Sequence, residues 1–365
     1  MKNLKGKGDL IMEFGMFYVL ESPDGDFKRA YDEMLGQIEY AEELGFDSVW
    51  LAEHHSTAYG SMANPAVAMA AIAERTKKMK IGTLISVLPL NNPIRIAEDY
   101  AMADIISGGR LQFGVGRGYQ PTEFKQLGVS MEDTRARFKE ELEIITGLWK
   151  HKNFSYDGKF YQLDNVTLRP RPIQPEPPIY VASISPETFE IVADMGLNIT
   201  ATPTLGTLED VKGQLKDARA ALIEKGMKPE NIDFPVNLQM HVADNAEVAY
   251  ERTKDYFNWY FKEVGALVPG ADGKAPKSYE SWDAVAENLS SITFDQMREG
   301  GVIHVDGPQK LIEEIEGMQE AFGLKQLSCW HRVGGMSDKL VRESMERMAK
   351  DVIPYFKKKE AKQKA

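Results

Sequence analysis

Residues 43–55 read ELGFDSVWLAEHH. A helix-like segment ends here at Gly45, a short apolar run follows over residues 48–52, and one glutamate and two histidines come directly after it. Glycine tolerates the left-handed exit from a helix, and a short apolar run is typical of a buried strand. This stretch therefore predicts a helix, a buried strand and a polar loop in succession, which is one repeating unit of an α/β fold.

The same succession recurs eight times along the chain. The predicted strands are residues 13–19, 48–52, 80–86, 111–115, 179–182, 198–201, 236–242 and 326–330. The predicted helices are residues 27–44, 65–77, 93–106, 134–151, 186–195, 208–225, 246–263 and 308–322. Eight alternations without a long hydrophilic linker predict an α/β fold of the (β/α)₈ TIM-barrel type, with a doubly wound open sheet as the alternative.

All 365 residues are expected to form this single domain, with two insertions. Residues 153–178, after the fourth helix, predict a short hairpin and a proline-rich approach to the next strand. Residues 265–302, before the eighth strand, are long enough to predict a lid or a binding loop, part of it helical around residues 282–289. A last helix over residues 337–356 is expected to pack outside the barrel, followed by a disordered tail over residues 357–365.

Charge and cysteine content exclude several functional classes. The net charge of −11 argues against binding to nucleic acid, because such proteins present concentrated basic faces. The single cysteine, Cys329, excludes an intramolecular disulfide and a cysteine-rich metal site. No stretch reaches the roughly 18 to 20 apolar residues that span a bilayer, and the first residues lack an export signal. A soluble, cytoplasmic protein is therefore expected.

Polar side chains follow the second predicted strand. Glu53, His54 and His55 stand where the loops of a barrel converge on one mouth. Adjacent strand residues point to opposite sides, so both imidazoles cannot easily reach one ion, and no metal site is predicted. A histidine at this mouth can act as an acid or base near neutral pH, or it can be purely structural.

Glycines and an arginine follow the fourth predicted strand. Gly114, Gly116 and Gly118 do not complete a dinucleotide-binding fingerprint, because residue 119 is tyrosine. What remains is a flexible turn that can bring the Arg117 guanidinium close to an anion.

Two hydroxyls follow the fifth predicted strand. Ser185 and Thr188 bracket Pro186 at the start of a predicted helix, where free N–H groups attract anions. The alternative is ordinary capping of the helix by Ser185. Because Arg117 follows the neighbouring strand, the pattern favours a phosphate site.

Four passages of this chain resemble bacterial luciferase and the luciferase-like flavin-dependent monooxygenases. They are residues 43–55, 81–89, 109–118 and 180–188, and the similarity extends from about residue 13 to residue 356. The resemblance implies a barrel that uses reduced FMN from a separate flavin reductase, with O₂, to oxidise a small organic substrate. An aldehyde or another carbonyl compound is one candidate substrate.

The resemblance also implies roles for individual residues. His54 matches the catalytic histidine, and Arg117, Ser185 and Thr188 fall on phosphate-binding positions. Leu84 and Ile85 fall where the family often has a non-prolyl cis peptide against the flavin ring. The remaining positions implied at the cofactor are Glu53, Gly116, Ser183 and Ile184.

One position departs from luciferase, and two other functions stay open. Luciferase has a reactive cysteine where this chain has Gly116, so light emission is not implied. Relatives with this barrel also include enzymes that transfer hydride with a deazaflavin coenzyme, and non-catalytic flavin-binding subunits. Pairing of relatives through early helices implies a homodimer.

Overall fold

A parallel sheet surrounded by helices forms the core of the computed structural model, which describes residues 12–182, 186–202 and 207–364. The strands are β1 Glu13–Tyr18, β2 Ser48–Leu51, β3 Lys80–Thr83, β4 Ser86–Val87, β5 Leu111–Gly116, β6 Phe154–Asp157, β7 Gln162–Val166, β8 Ile179–Ala182, β9 Asn198–Thr200, β10 Val236–Val242, β11 Ile303–Asp306 and β12 Gln326–Trp330. The helices are α1 Phe27–Leu44, α2 Pro65–Arg75, α3 Pro93–Ser107, α4 Pro121–Leu127, α5 Thr134–Lys150, α6 Pro186–Met195, α7 Leu208–Glu224, α8 Ala246–Leu267, α9 Trp282–Ser291, α10 Phe294–Glu299, α11 Pro308–Phe322, α12 Asp338–Arg347 and α13 Ile353–Lys364.

The main sheet is curled, and its paired strands are parallel. The strand order is β11-β10-β12-β1-β2-β3-β5-β8-β9, and β4 pairs with β5. The register of β1 on β2 pairs Gly15 with Ser48 and Phe17 with Trp50. A separate parallel bridge joins Ala201, directly after β9, to Val236 at the start of β10. The two ends of the strand order therefore approach each other.

Proline and glycine mark the helix ends, as the sequence predicts. Helix α3 begins at Pro93, where the side chain of Asn92 accepts from the backbone N–H of Ile94 and Arg95. It ends at Gly108, whose φ of 71° is in the left-handed region that favours glycine. These local signals account for the agreement between the predicted and observed bounds of most helices.

Small residues in the strands make room for a large interior side chain. A Cβ on Gly82 would lie 2.5 Å from the Trp50 ring, and a Cβ on Gly15 would lie 2.3 Å from Ser48 Oγ. The Trp50 ring is buried and contacts the Tyr180 ring edge-on at 5.4 Å. The interior is therefore filled with side chains here rather than open.

The structure differs from the sequence predictions in several segments. The third predicted strand is interrupted by Leu84 and Ile85, which separate β3 from β4. The short helix α4 and the four-residue strand β11 were not predicted, because runs of this length carry little periodicity. The antiparallel pair β6–β7, in contrast, lies within residues 153–178, where the sequence predicted a short hairpin.

Helices cover much of the predicted lid and tail. Residues 265–302 include the end of α8, a 3₁₀ turn at Lys277–Tyr279, and helices α9 and α10. Helix α13 extends through residues 357–364, where the sequence predicted a disordered tail, and that disorder stays a prediction. Buried Ile353 and Phe356 hold the start of this helix, and each further residue adds a backbone hydrogen bond. No helix in the described part of the chain combines the length and apolar character needed to cross a membrane.

Candidate active site

A cavity of about 530 Å³ opens at the carboxyl ends of the parallel strands. This end of an α/β sheet is where connecting loops converge. Glu53, His54, Leu84, Ile85 and Arg117 all line the cavity, although they come from three different strand ends. The structure therefore brings together five of the residues that the sequence singled out.

His54 is held by a buried carboxylate that the sequence analysis missed. Glu123, on α4, is 1% exposed, and its Oε1 lies 3.0 Å from His54 Nδ1. The same oxygen accepts from the backbone N–H of His55 at 2.8 Å. Gln120 Nε2 also lies 3.1 Å from Nδ1. A carboxylate only accepts and an amide nitrogen only donates, so these two neighbours of Nδ1 favour opposite tautomers. We assign the proton to Nδ1 because the charge-assisted bond to Glu123 is the stronger of the two, and the neutral ring then has its lone pair on Nε2.

Glu53 stabilises the wall of the cavity through hydrogen bonds. Its carboxylate is buried, and the atoms that contact it are Ser86 Oγ at 2.9 Å, the Val87 backbone N–H at 3.0 Å, Asn91 Nδ2 at 2.9 Å and His55 Nε2 at 3.1 Å. The hydrogen bond that His55 donates to Glu53 raises the pKa of His55, against the opposing effect of burial. Both carboxylate oxygens are therefore engaged within the protein, so a direct cofactor contact by Glu53 stays a prediction.

The segment between β3 and β4 forms one face of the cavity. The Leu84–Ile85 peptide is cis, as the resemblance implied. A Cβ on Gly116 would lie 2.3 Å from Ile85 Cδ1, so the Ile85 side chain occupies the space beside this glycine. A Cβ on Gly114 would lie only 1.9 Å from the Thr83 carbonyl oxygen. Glycine at both positions thus lets this segment pack closely against β5.

Arg117 extends from the end of β5 toward the segment that precedes α9. Its guanidinium lies 4.8 Å from the centre of the Tyr279 ring, and Nη1 donates to the Ser278 carbonyl at 3.5 Å. β5 and β8 are neighbours, with Val115 paired to Val181. The residues that follow the two strands therefore start side by side.

The structure describes only part of the predicted phosphate-binding residues after β8. Ser183, Ile184 and Ser185 lie outside the described residues. Thr188 lies in the first turn of α6, but its side chain is not described. Convergence of these hydroxyls with Arg117 therefore stays a prediction.

Six aromatic side chains, which we call the aromatic wall, line much of the cavity. They are Phe17, Tyr59, Tyr119, Tyr260, Trp282 and Trp330. Ring contacts link Phe17 to Trp330 at 4.8 Å, Trp330 to Tyr260 at 5.1 Å, and Tyr260 to Tyr59 at 5.5 Å. Tyr119 stacks on Trp282 with centroids 4.9 Å apart and planes 10° from parallel.

The imidazole of His54 connects the two parts of the aromatic wall. Its ring lies 4.9 Å from that of Tyr59 and 6.0 Å from that of Tyr119. The Tyr119 hydroxyl donates to the Tyr59 hydroxyl at 3.2 Å, and the Tyr59 and Tyr260 hydroxyls are 3.4 Å apart. Burial raises the pKa of Tyr119 to about 12 and raises the pKa of Tyr59 and of Tyr260 well above the ordinary value, so these phenols are neutral.

Tyr260, in the aromatic-rich segment 256–261, lines the cavity, whereas His331 does not. His331 directly follows β12, at the same end of the sheet as the cavity. Its side chain instead lies behind the sheet, where Nδ1 is 2.8 Å from Ser344 Oγ on α12. Side chains alternate along a strand, so Trp330 faces the cavity and the next residue faces away.

The chain is similar over most of its length to known monooxygenases. A family profile described as Luciferase-like monooxygenase matches residues 12–324. The oxygenase component of a flavin-dependent trigonelline monooxygenase from Acinetobacter baylyi is 32% identical, with 94% of this chain and 96% of that protein covered. The alkanal monooxygenase alpha chain of the Kryptophanaron alfredi symbiont is 29% identical, with 95% and 99% covered.

Solved structures agree with this similarity. The monooxygenase RslO1 from Streptomyces bottropensis has a TM-score of 0.82 and 26% identity, with 94% of this chain and all of that chain covered. Two structures that are each 20% identical share the fold. One is the oxygenating constituent of 3,6-diketocamphane monooxygenase from Pseudomonas putida with FMN, at a TM-score of 0.76. The other is an F420-dependent secondary alcohol dehydrogenase, at a TM-score of 0.73. Coverage is 94% of this chain and 98% of each of these two. The chain therefore belongs to the luciferase-like monooxygenase family and is a flavin-dependent oxidoreductase.

Proposed function

We propose that this chain is the oxygenase of a two-component system. It uses reduced FMN from a separate flavin reductase, together with O₂, to oxidise a small organic substrate. The observation that carries the proposal is the common cavity of His54, the Leu84–Ile85 segment and Arg117. The name of the Acinetobacter baylyi relative, an oxygenase component, supports the need for a separate reductase.

The residues that line the cavity fit FMN. Arg117 is the one permanent cation among the described residues of the lining, and it would hold the phosphate. Ser185, Thr188 and the free N–H groups at the start of α6 would complete that site. Leu84 and Ile85, together with Ser183, Ile184 and the close-packed Gly116, would contact the isoalloxazine ring. Bound reduced FMN supplies the electrons with which O₂ is reduced.

His54 would handle the proton in this reaction. Its Nδ1–H donates to Glu123, which leaves Nε2 to take up or release a proton inside the cavity. The carboxylate fixes the orientation of the ring, so Glu123 is a positioning residue. The aromatic wall would exclude water around this proton transfer.

We also propose that the curled sheet closes into a (β/α)₈ barrel. The bridge between Ala201 and Val236 supports closure, because it connects the last strand in the order to β10. Residues 265–302 would act as the lid of this barrel. Tyr279 and Trp282, which belong to this segment, line the cavity.

A homodimer is the proposed assembly. Helix α3 exposes Met102, Ile105 and Ile106, which share one face because they are three and four residues apart. Exposed apolar side chains on one helix face are typical of a subunit contact.

Binding and isotope incorporation together test the proposed activity. FMN, and not a deazaflavin coenzyme, should bind the purified chain. Reduced FMN with labelled O₂ and a panel of small substrates should then yield a product that carries one labelled oxygen atom. Binding of deazaflavin alone would select the hydride-transfer alternative, and FMN binding without any labelled product would select the non-catalytic subunit.

Substitution of His54 by alanine tests the proton-transfer role. The affinity for FMN should change little, while turnover should fall by about 10² to 10⁴, the usual contribution of an acid/base group. An unchanged turnover rate would remove His54 from the mechanism.

A further inference from the structure

We propose that the cavity takes a planar aromatic substrate with a positive charge on the ring, of the N-alkylpyridinium type. The inference rests on the proposed function in one respect: the molecule that binds in the cavity would be the substrate that is oxidised. It names the substrate class, which the resemblance to the family leaves open.

The aromatic wall supplies the recognition surface. Its six rings and the His54 imidazole form an unbroken series of ring contacts from Phe17 to Trp282, with neighbouring centroids between 4.8 and 6.0 Å. Aromatic faces carry negative electrostatic potential, so they attract cations, and they also stack on flat rings. A charged aromatic ring uses both interactions at once, whereas an aliphatic chain uses neither.

The charged side chains around the cavity determine which sign of ligand charge it favours. Glu53, His54, Arg117 and Glu123 are the ionisable acids and bases in the described lining, tyrosines aside. The three tyrosines of the wall are neutral, because burial raises the pKa of each phenol. With Arg117 assigned to the FMN phosphate, the remaining acidic groups of the lining are the carboxyls of Glu53 and Glu123. Their sign favours a cationic ligand over an anionic one, although His55 and His54 already contact the two carboxyls.

A buried amide provides a third, independent observation. Asn237 on β10 lines the cavity and is 2% exposed. Its Oδ1 has no hydrogen-bond partner among the described residues. A buried acceptor without a partner is costly unless a ligand supplies a donor or a positively polarised group. The hydrogens next to a quaternary ring nitrogen are such a group.

A pair of ligands with the same shape isolates the effect of charge. The N-methylpyridinium ion and toluene differ in the ring atom that carries the methyl group and in net charge. We expect calorimetric titration to show the cation binding at least tenfold more tightly than toluene, as cation–π contacts in a desolvated site predict. Equal affinities, or tighter binding of toluene, would overturn the inference.

Variants of the aromatic wall locate the binding site. Tyr260→Leu removes a ring and should weaken binding of the cation at least fivefold, while Tyr260→Phe keeps the ring and should stay within twofold of the parent. Trp282→Leu, on the less buried side, provides the same test if Tyr260→Leu does not fold. Unchanged affinity in the leucine variants would place the cation elsewhere and refute the assignment.

Repeating the titrations with saturating FMN separates this inference from the proposed function. Undiminished binding of the cation beside FMN supports a substrate site. Competition between the two would assign the aromatic wall to the flavin and overturn the inference. If FMN does not bind but the preference for the cation persists, the proposed cofactor fails and the substrate class stands.

Discussion

Replacement of Glu123 by glutamine or alanine separates its structural role from its effect on His54. The carboxylate is almost fully buried and accepts two hydrogen bonds, from His54 Nδ1 and from the His55 backbone N–H. Glu123→Ala removes the acceptor for both donors. Glu123→Gln keeps an oxygen of the same shape but removes the charge.

The expected magnitudes follow from those two bonds. A buried donor without an acceptor costs about 1 to 3 kcal/mol, so Glu123→Ala should lower the free energy of unfolding by about 2 to 6 kcal/mol. Glu123→Gln should lose about 1 to 3 kcal/mol of stability, because two hydrogen bonds to a charged acceptor become bonds to a neutral one. A hydrogen bond to a charged group is worth roughly 1.4 kcal/mol more than a neutral one, so Glu123→Gln should slow turnover by about tenfold.

Two measurements check these values. Denaturant unfolding gives the stability of the parent and both variants, and product formation with saturating reduced FMN gives turnover. If Glu123→Gln turns over as fast as the parent, the carboxylate is only a scaffold for the loop. If Glu123→Ala is as stable as the parent, the two hydrogen bonds do not carry the assigned energy.

Three further substitutions test the cofactor site, the strand packing and a buried acid. Arg117→Ala should weaken FMN binding by at least tenfold, because it removes the cation assigned to the phosphate. Flavin fluorescence measures this affinity, and equal affinity in parent and variant would refute the assignment. Gly114→Ala places a Cβ 1.9 Å from a backbone oxygen and should lower the free energy of unfolding in urea by at least about 1 to 3 kcal/mol. The control Gly213→Ala, in open space on α7, should raise the free energy of unfolding by about 0.4 to 1 kcal/mol. Burial raises the pKa of Glu141 to about 7, against the opposing effect of the hydrogen bond that Tyr161 donates to the carboxyl. The stability that the Glu141 carboxyl contributes is therefore complete below the ordinary pKa of a glutamate and is lost as the pH rises through 7. Glu141→Gln should therefore be more stable than the parent at pH 8, by about 1 to 3 kcal/mol, with no such advantage at pH 5; parallel stability profiles would contradict this.

Local patterns predicted much of the framework. The bounds of β8, β10, β12, α1, α6 and α11 agree with the predicted ranges, because apolar runs and flanking proline or glycine act over a few residues. The positions of His54 and Arg117 at one cavity could also be expected, since each follows a strand and the carboxyl ends of parallel strands meet.

The aromatic wall could not be predicted in the same way. Tyr59, Tyr119, Tyr260, Trp282 and Trp330 are far apart along the chain, and no spacing rule relates them. Glu123 was missed for the same reason, because a lone glutamate in a short helix carries no sign that its carboxylate will face an imidazole.

By itself, the sequence determined the succession of helices and strands and the identity of the residues at the strand ends. Only the tertiary structure decided which of these residues share a cavity and which, like His331, lie behind the sheet. The physical reason is that strand alternation defines two faces without saying which one is interior. The curl of the sheet makes that choice, and it also brings aromatic side chains from distant segments around the imidazole of His54.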